Sequence, residues 1–379
     1  MKDWMKPIII FILCVSLAGL VMMVSGLINI SASSGHFKVT ALILEFAKRR
    51  YASTYSLTVK RPKLTDEDMI LRGAGHYEIG CRQCHGIPGE VNLLGLKTTP
   101  ESPYLPPTIK KYEPEELFRI VKYGLKFTGM PSWPSLKRDD EVWSMVSFLL
   151  KLPEMSESEY KKLVYGKHGP FILPPPPYTD EILSDTLMTC AHCHGMDGNG
   201  RGKGVFPKLS GQNKDYIEGS LHAYKRGERH SGTMELIAVS LSKEMIKSVA
   251  EYYSSQRRIK SLPPSIDSRR KAILRGKAIA FKGVPEKKVA ACIGCHGPDP
   301  EGKTRKPHFP DLRGQPWSYL SNQLRLFIED KRGGSEHASL MKKAVPDLTE
   351  KEREDVSLYY ESLSHPAIQN HAAEINEYN

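Results

Sequence analysis

The stretch CAHCHG, residues 190–195, places two cysteines three positions apart and a histidine directly after the second. The same pattern occurs in CRQCHG at 81–86 and in CIGCHG at 292–297. Six of the seven cysteines lie in these stretches, and the seventh, Cys14, lies in an apolar run near the N-terminus. No cysteine pair is therefore left over for a structural disulfide.

Two cysteines at this spacing, followed by a histidine, are typical of covalent haem c attachment. The thiols bond to the two vinyl groups of the porphyrin, and the adjacent imidazole binds the iron. Three motifs therefore predict three covalently bound haem c groups. The predicted attachment and iron-binding residues are Cys81, Cys84 and His85, then Cys190, Cys193 and His194, and finally Cys292, Cys295 and His296.

Three other kinds of site also use closely spaced cysteines. A structural zinc site combines two CxxC pairs, which would leave one of the three pairs unmatched. A thioredoxin-like redox pair lies in an alternating β/α pattern, which this sequence lacks. An iron–sulfur centre would leave the regular histidines unexplained. Haem attachment is the interpretation that accounts for every residue of the motif.

A methionine in each repeat is the candidate sixth ligand, opposite the histidine. Thioether sulfur at this position raises the reduction potential of the iron and suits it to electron transfer. Alignment of the second and third repeats selects Met234 and Met341, whereas Met130 is selected by its local sequence TGMPSWP. Met145 and Met245 fall in the predicted final helices, where we expect them to fill the core.

A Pro-x-Leu unit follows each motif and offers a carbonyl to the histidine. An iron-binding histidine usually donates its other ring N–H to such a group. We expect the carbonyls of Pro103, Pro207 and Pro310 to accept the Nδ1 hydrogens. In the first repeat, where prolines are abundant, a simple turn proline is an equal alternative. The other histidines considered as ligands or proton shuttles, which we expect at the surface, are His192, His222, His230, His308 and His337.

Two proline-rich segments, ILPPPPYTD at 172–180 and SLPPSIDS at 261–268, separate the three motifs. They predict extended breaks between domains, and the tetraproline segment suggests some freedom for the first domain to move. The shared order and spacing of VFPKLSGQNKDYI (205–217) and HFPDLRGQPWSYL (308–320) indicate a duplication. The first repeat keeps the same order in a more divergent sequence.

Strand-like alternation is scarce, and the last segment of each repeat has apolar residues at helical spacing. The sequence therefore predicts an all-α chain of three tandem small haem domains after an N-terminal transmembrane helix. The expected segments are an N-terminal membrane anchor or signal sequence (1–35), a basic juxtamembrane connector (36–63), domain 1 (64–152), a proline-rich linker (153–177), domain 2 (178–258), a second linker (259–268), domain 3 (269–364) and a tail (365–379).

The N-terminal apolar run, residues 7–35, contains about 24 mostly apolar residues, enough to cross a bilayer. A signal-peptide core is shorter, roughly 7 to 15 residues, so a retained anchor is favoured over a signal cleaved near Ala32. Residues 1–63 hold nine Lys or Arg and two acidic residues, which is most of the net charge of +11. This concentration favours contact with anionic lipid headgroups and argues against nucleic-acid binding.

The chain resembles the class I c-type cytochromes in its CxxCH motifs, Pro-x-Leu units, distal methionines and final helices that end in Tyr-Tyr. Repeats two and three resemble the two-domain dihaem cytochromes of the c-four kind through CHGMDGNG, PKLSGQ and PDLRGQ. The resemblance implies three to five helices around each haem. It also implies a bacterial inner-membrane protein whose haem domains face the periplasm.

In this family the first and last helices of a domain cross where a small residue meets an aromatic one. The resemblance therefore predicts contacts of Gly73 or Gly75 with Trp143 or Phe148, and of Gly276 with Tyr359 or Tyr360. The second repeat departs from this pattern, because DEILSDTLMTC has no matching glycine.

The function that these features favour is transfer of single electrons in a membrane respiratory chain. The donor would be a quinol-oxidising or dehydrogenase complex, and the acceptor a terminal complex such as a haem-copper oxidase. One closed His/Met pair per haem leaves no open iron, so no small-molecule substrate is expected. The alternative is a cytochrome c subunit of a membrane-bound alcohol or sugar-acid dehydrogenase. A peroxidase or reductase would need an open iron, and a sensor would need a signalling module.

Overall fold

The computed structural model describes residues 4–27, 29–64, 66–166, 181–202, 204–259, 266–297, 308–334 and 337–363. These ranges are mostly helical and contain no strand, so the all-α prediction is confirmed. Two isolated bridges, Ile87 with Glu90 and Val284 with Val289, are their only β pairing. The tetraproline segment, the 298–307 loop and the C-terminal tail fall outside the described residues.

The chain begins with two long helices, α1 (Met5–Val24) and α2 (Lys38–Ser56). At 1.5 Å per residue, α1 is about 30 Å long, which matches the hydrocarbon thickness of a bilayer. Its mean hydropathy is 2.8 and none of its residues is buried. A signal sequence near the N-terminus shares these properties. The predicted basic connector is therefore largely a helix, α2.

Domain 1 is built around α3 and the crossing helix α7. Asp66 caps the start of α3 through the N–H of Asp68, and α7 begins with three acidic residues that favour its N-terminal dipole. The helices of this domain are α3 (Glu67–Gly80), α4 (Arg82–His85), α5 (Leu105–Thr108), α6 (Pro114–Tyr123), α7 (Asp139–Lys151) and α8 (Glu157–Tyr165).

Helix α8 lies in the segment that the sequence analysis assigned to the proline-rich linker. A capping box between Ser156 and Glu159 starts this helix. Tyr160 is fully buried in the core of domain 1 and donates a hydrogen bond to Glu78 at 2.6 Å. The apolar contacts of Tyr160 and Val164 thus extend the packed unit beyond residue 152.

Domains 2 and 3 repeat one another in helix order. The last three helices of domain 2 correspond to the last three helices of domain 3. The helices of domain 2 are α9 (Glu181–His194), α10 (Lys214–Lys225), α11 (Met234–Ser240) and α12 (Lys243–Ser255). Those of domain 3 are α13 (Ile266–Lys282), α14 (Ile293–His296), α15 (Trp317–Ile328), α16 (Ala338–Ala344) and α17 (Glu350–Ser362). Short 3₁₀ turns lie at Ala32–Ser34, Gly95–Lys97, Ile109–Lys111, Leu152–Glu154 and Pro285–Lys287.

Glycines allow the first and last helices of domains 1 and 3 to cross at close range. A Cβ on Gly73 would lie 2.2 Å from the carbonyl oxygen of Ser144 and 2.6 Å from Cβ of Phe148. A Cβ on Gly276 would lie 1.9 Å from the carbonyl oxygen of Asp355. Gly73, rather than Gly75, therefore occupies the crossing in domain 1, while Gly276 meets α17 one turn before the predicted tyrosines.

Candidate haem-binding sites

Each motif histidine ends a helix and is held by a proline carbonyl. Because a carbonyl can only accept a hydrogen bond, Nδ1 carries the proton, and the lone pair of Nε2 is available for iron. Burial lowers the pKa of all three imidazoles, although the carbonyl contact partly opposes it, so the rings stay neutral. The Nδ1-to-oxygen distances are 2.9 Å from His85 to Pro103, 3.0 Å from His194 to Pro207 and 3.0 Å from His296 to Pro310.

The motif residues of domains 2 and 3 line one shared cavity of about 340 Å³. The two sites are therefore neighbours that open toward each other across the domain interface. Most of the lining is apolar, as a porphyrin requires. The predicted site residues on this cavity are Cys190, Cys193, His194 and Met234 from domain 2, and Cys292, Cys295, His296 and Met341 from domain 3.

Met130 lies in the loop that follows α6, and two hydrogen bonds of its backbone hold this loop in place. Leu125 N–H donates to the carbonyl of Met130 at 3.2 Å, and the N–H of Met130 donates to Oγ1 of Thr128 at 3.0 Å. Gly124 has φ +64° and lies against that carbonyl, which explains a glycine there. Met130 is half-buried, whereas Met145 is buried in the core of domain 1, as expected for a packing residue.

Two arginines and two tyrosines meet where domains 2 and 3 adjoin the cavity. Arg229 is buried and lies 3.3 Å from the hydroxyl of Tyr319, and Arg332 lies 3.0 Å from the hydroxyl of Tyr216. Burial raises the pKa of Tyr216, but the two guanidinium groups outweigh burial and lower it overall. Within the described ranges, no ion pair with a carboxylate is found for buried Arg229 or half-buried Arg332, and Nε of Arg332 has no hydrogen-bond partner. Cations that are removed from water without acidic partners suit a bound anion, and haem propionates supply carboxylates, so this site fits haem.

Two glutamines, one from each domain, bind the backbone of the opposite domain directly after Pro207 and Pro310. Gln315 accepts from the N–H of Lys208 at 3.0 Å and donates to its carbonyl at 2.6 Å. Gln212 accepts from the N–H of Asp311 at 2.7 Å and donates to its carbonyl at 3.0 Å. Lys208 and Asp311 directly follow the prolines that hold His194 and His296, so each domain fixes the histidine support of the other.

Replacement of Gln212 by alanine is expected to destabilise the joined pair of domains. It leaves the buried N–H and carbonyl of Asp311 without their partners, at a cost of about 1–3 kcal/mol for each unsatisfied group. The free energy of unfolding should fall by about 2–4 kcal/mol in a denaturant titration of the holoprotein. The control for loss of a glutamine away from this interface is Gln256→Ala, which removes one bond to the carbonyl of Tyr252 at 3.2 Å, and equal stability of the two variants would contradict the role of Gln212.

Domain 1 also borders the shared cavity, which the sequence analysis did not anticipate. A Cβ on Gly75 would lie 3.1 Å from Sγ of Cys193, one of the predicted attachment atoms of domain 2. No signal in the sequence identified these contributions, because they depend on how separate domains dock. The domain 1 residues on the cavity are Arg72, His76, Arg138 and Glu141.

The contacts between domains 1 and 2 centre on Glu141 and the loop that precedes Met234. Buried Glu141 accepts hydrogen bonds from Oγ of Ser231 at 2.9 Å and from the N–H of Gly232 at 2.6 Å. Arg138 lies 2.9 Å from Glu141 and donates to the carbonyl of His230 at 2.7 Å. Burial raises the pKa of Glu141, while Arg138 opposes that effect. These contacts hold domain 1 against the predicted methionine loop of domain 2.

The remaining histidines fall partly at the surface. His308 is exposed, as expected, yet both it and half-buried His337 border the shared cavity, with ring centroids 5.8 Å apart. His192 packs near the ring of Tyr165 at 5.3 Å.

Family models match all three repeats. A model described as "Cytochrome C oxidase, cbb3-type, subunit III" matches residues 68–149, and one described as "Cytochrome c" matches residues 184–253 and 274–364. Among curated proteins, cytochrome c-552 of Acidithiobacillus ferridurans is 33% identical over 195 residues, which cover 50% of this chain and 77% of that protein. The chain is a c-type cytochrome. Its domains imply covalent haem c and electron transfer.

Other relatives of this c-type cytochrome are cytochromes c4 and electron acceptors of thiosulfate dehydrogenase. Cytochrome c4 of Pseudomonas aeruginosa is 33% identical, with 46% of this chain and 83% of that protein covered. The thiosulfate dehydrogenase electron acceptor of Thiomonas intermedia is 32% identical, with 38% and 65% covered. Among solved structures, Acidithiobacillus ferrooxidans cytochrome c4 covers 46% of this chain and 98% of its own, at 32% identity and a TM-score of 0.40.

Proposed function

We propose that this cytochrome holds three haem c groups and carries single electrons in a membrane respiratory chain. The observation that carries the proposal is the threefold recurrence of an attachment motif whose histidine donates Nδ1–H to a proline carbonyl. Bound haem supplies one-electron oxidation and reduction of iron. The predicted sixth ligands are Met130, Met234 and Met341, and each would close one iron against external ligands.

Domain 1 docks against both of the other domains, since Asp140 accepts a hydrogen bond from Asn322 of domain 3 at 3.1 Å. Trp133, three residues after Met130, stacks on His76 at a centroid distance of 5.3 Å and an angle of 10°. Its ring also lies against Gly232, two residues before Met234. Packed side chains thus join the methionine loops of domains 1 and 2, while domains 2 and 3 share their cavity. Electrons would therefore pass between haems within one packed unit of three domains.

Replacement of Gly232 by valine is expected to separate domain 1 from domain 2. Even a Cβ at this position would lie 2.1 Å from Nε1 of Trp133, so the tryptophan ring must move. The radius of gyration from small-angle X-ray scattering should rise. Gly219→Val is the matched control, because no atom lies within 4 Å of a Cβ there. Unchanged scattering for Gly232→Val would show that this contact does not hold the domains together.

The apolar helix α1 is proposed to remain as an anchor in the bacterial inner membrane, with the haem domains on the periplasmic side. Lys6, at its N-terminal end, agrees with the tendency of positive residues to stay in the cytoplasm. Redox partner proteins would then reach the cytochrome at the membrane surface. Resistance to extraction by alkaline carbonate would support a retained anchor, and release of the full chain would contradict it.

The donor and acceptor can be tested in native membranes through the haem absorbance that is lost when this chain is deleted. We expect a quinol to reduce the haems that give this absorbance. If a haem-copper oxidase is the acceptor, cyanide should keep these haems in the reduced state. Reduction only by a dehydrogenase substrate would favour the second candidate, an electron-accepting subunit of a dehydrogenase. The electron acceptor of thiosulfate dehydrogenase among the relatives makes thiosulfate the first such substrate to add, before an alcohol or a sugar acid.

A further inference from the structure

Helix α2 has one face packed on domain 1 and an opposite face without a protein partner among the described residues. On the packed face, Ala52 is buried, and Tyr55 lies 5.2 Å from the guanidinium of Arg119 on α6. On the outer face, Val39, Leu42 and Phe46 are 69%, 73% and 68% exposed. A helix in contact with water alone would carry polar residues on this outer face.

The exposed side chains form one continuous stripe. Val39, Leu42, Ile43 and Phe46 stand at i, i+3, i+4 and i+7, so they share a single side of α2. Phe37, the residue directly before the helix, is also 75% exposed. We name residues 39, 42, 43 and 46 the α2 stripe.

The charges that continue the same side of α2 are basic. Arg49 and Arg50 follow Phe46 by three and four residues, which places them in line with the stripe. The only acidic side chain of the helix, Glu45, is paired with Lys48 and Arg49. A side with apolar residues followed by arginines complements the boundary between acyl chains and anionic headgroups.

The preceding helix identifies the occupant of this stripe. Helix α1 is long and apolar enough to span a bilayer, and it ends at Val24, a short distance along the chain from Phe37. We infer that α2 lies in the membrane surface, with the α2 stripe in the acyl-headgroup boundary and domain 1 on its opposite face. This inference rests on the proposed membrane location. It adds a second, orienting contact that holds domain 1 close to the bilayer.

The test compares two single cysteines on the same turn of α2 in the full-length holoprotein. Phe46→Cys places a thiol in the stripe, and Ala47→Cys places one beside it at another exposed position. Both carry Cys14→Ser, which removes the one cysteine outside the haem motifs. The proteins are reconstituted at less than one molecule per vesicle of phosphatidylethanolamine and phosphatidylglycerol, and a charged maleimide that cannot cross membranes labels the thiol.

We expect the Phe46→Cys protein to react about tenfold more slowly than the Ala47→Cys protein, because the polar reagent is excluded from the acyl boundary. Equal rates in protein that still resists carbonate extraction would overturn this inference and leave the anchor proposal intact. Release by carbonate would instead contradict the anchor. Protection in native membranes but not in purified vesicles would assign the stripe to a protein partner, and protection that requires crowded vesicles would assign it to a second copy. Either result would overturn the lipid assignment.

Discussion

Replacement of Met341 by leucine is expected to open one of the three irons to carbon monoxide. Leucine keeps a similar volume but has no sulfur lone pair, so the iron of domain 3 would lose its sixth ligand. The reduced variant should bind one carbon monoxide per chain, and the reduction potential of that haem should fall. Met130→Leu and Met234→Leu should each do the same at their own domains. Optical difference spectra of the reduced proteins measure the result.

The chain contains matched controls for these three variants. Met145 is buried in the core of domain 1, and Met245 packs against the core of domain 2. Leucine at these positions conserves volume and should cost less than about 1.5 kcal/mol of stability, with no binding of carbon monoxide. If Met341→Leu left all irons closed, another ligand would have to serve domain 3, and His308 or His337 at the cavity would be tested next.

Replacement of Gly276 by alanine is expected to destabilise domain 3 by about 3 kcal/mol or more, at the upper end of the effects of overpacking. The added methyl group would lie 1.9 Å from the carbonyl oxygen of Asp355 and 2.4 Å from its carbonyl carbon. Those are backbone atoms of α17, which cannot rotate away as a side chain can. The helices would have to separate, and calorimetry of the holoprotein should show a lower transition temperature for this domain.

A second glycine distinguishes this packing effect from the general effect of alanine in a helix. Gly219 lies within α10, and no atom lies within 4 Å of a Cβ built there. Gly219→Ala should therefore stabilise the protein by about 0.5–1 kcal/mol, because alanine favours helix over glycine. Gly73→Ala should resemble Gly276→Ala, since its Cβ also meets a backbone oxygen. Stabilisation by Gly276→Ala would refute the close crossing.

The local features of the sites could be predicted because they depend on short stretches of sequence. The motif fixes two thiols and a histidine on one helical turn, and the proline carbonyl lies only 13 residues from His194 in the chain. The repeat alignment likewise points to Met234 and Met341, and both line the shared cavity. The sequence does not decide between Gly73 and Gly75 for the crossing in domain 1, since both are buried on α3 and only packing distinguishes them.

The contacts between domains could not be predicted in this way. The Glu141 hydrogen bond to Gly232 joins residues 91 positions apart, and no periodicity of either segment indicates the other. The acidic start of α7 is typical of a helix N-terminus, and nothing in that pattern indicates that Glu141 is buried against domain 2. Helix α8 lies outside the predicted domain 1, because nearby prolines suggest a linker although Tyr160 and Val164 pack in the core of domain 1.

The central claim is tested most directly by counting the haems and by asking whether any iron binds an external ligand. The measurement is the ratio of haem to protein in the membrane-extracted full chain, followed by addition of carbon monoxide to the reduced form. We predict three haems per chain and no spectral change, because we propose one histidine and one methionine ligand for every iron. Fewer than three haems, or binding of carbon monoxide by the unmodified protein, would contradict a trihaem electron carrier with three closed irons.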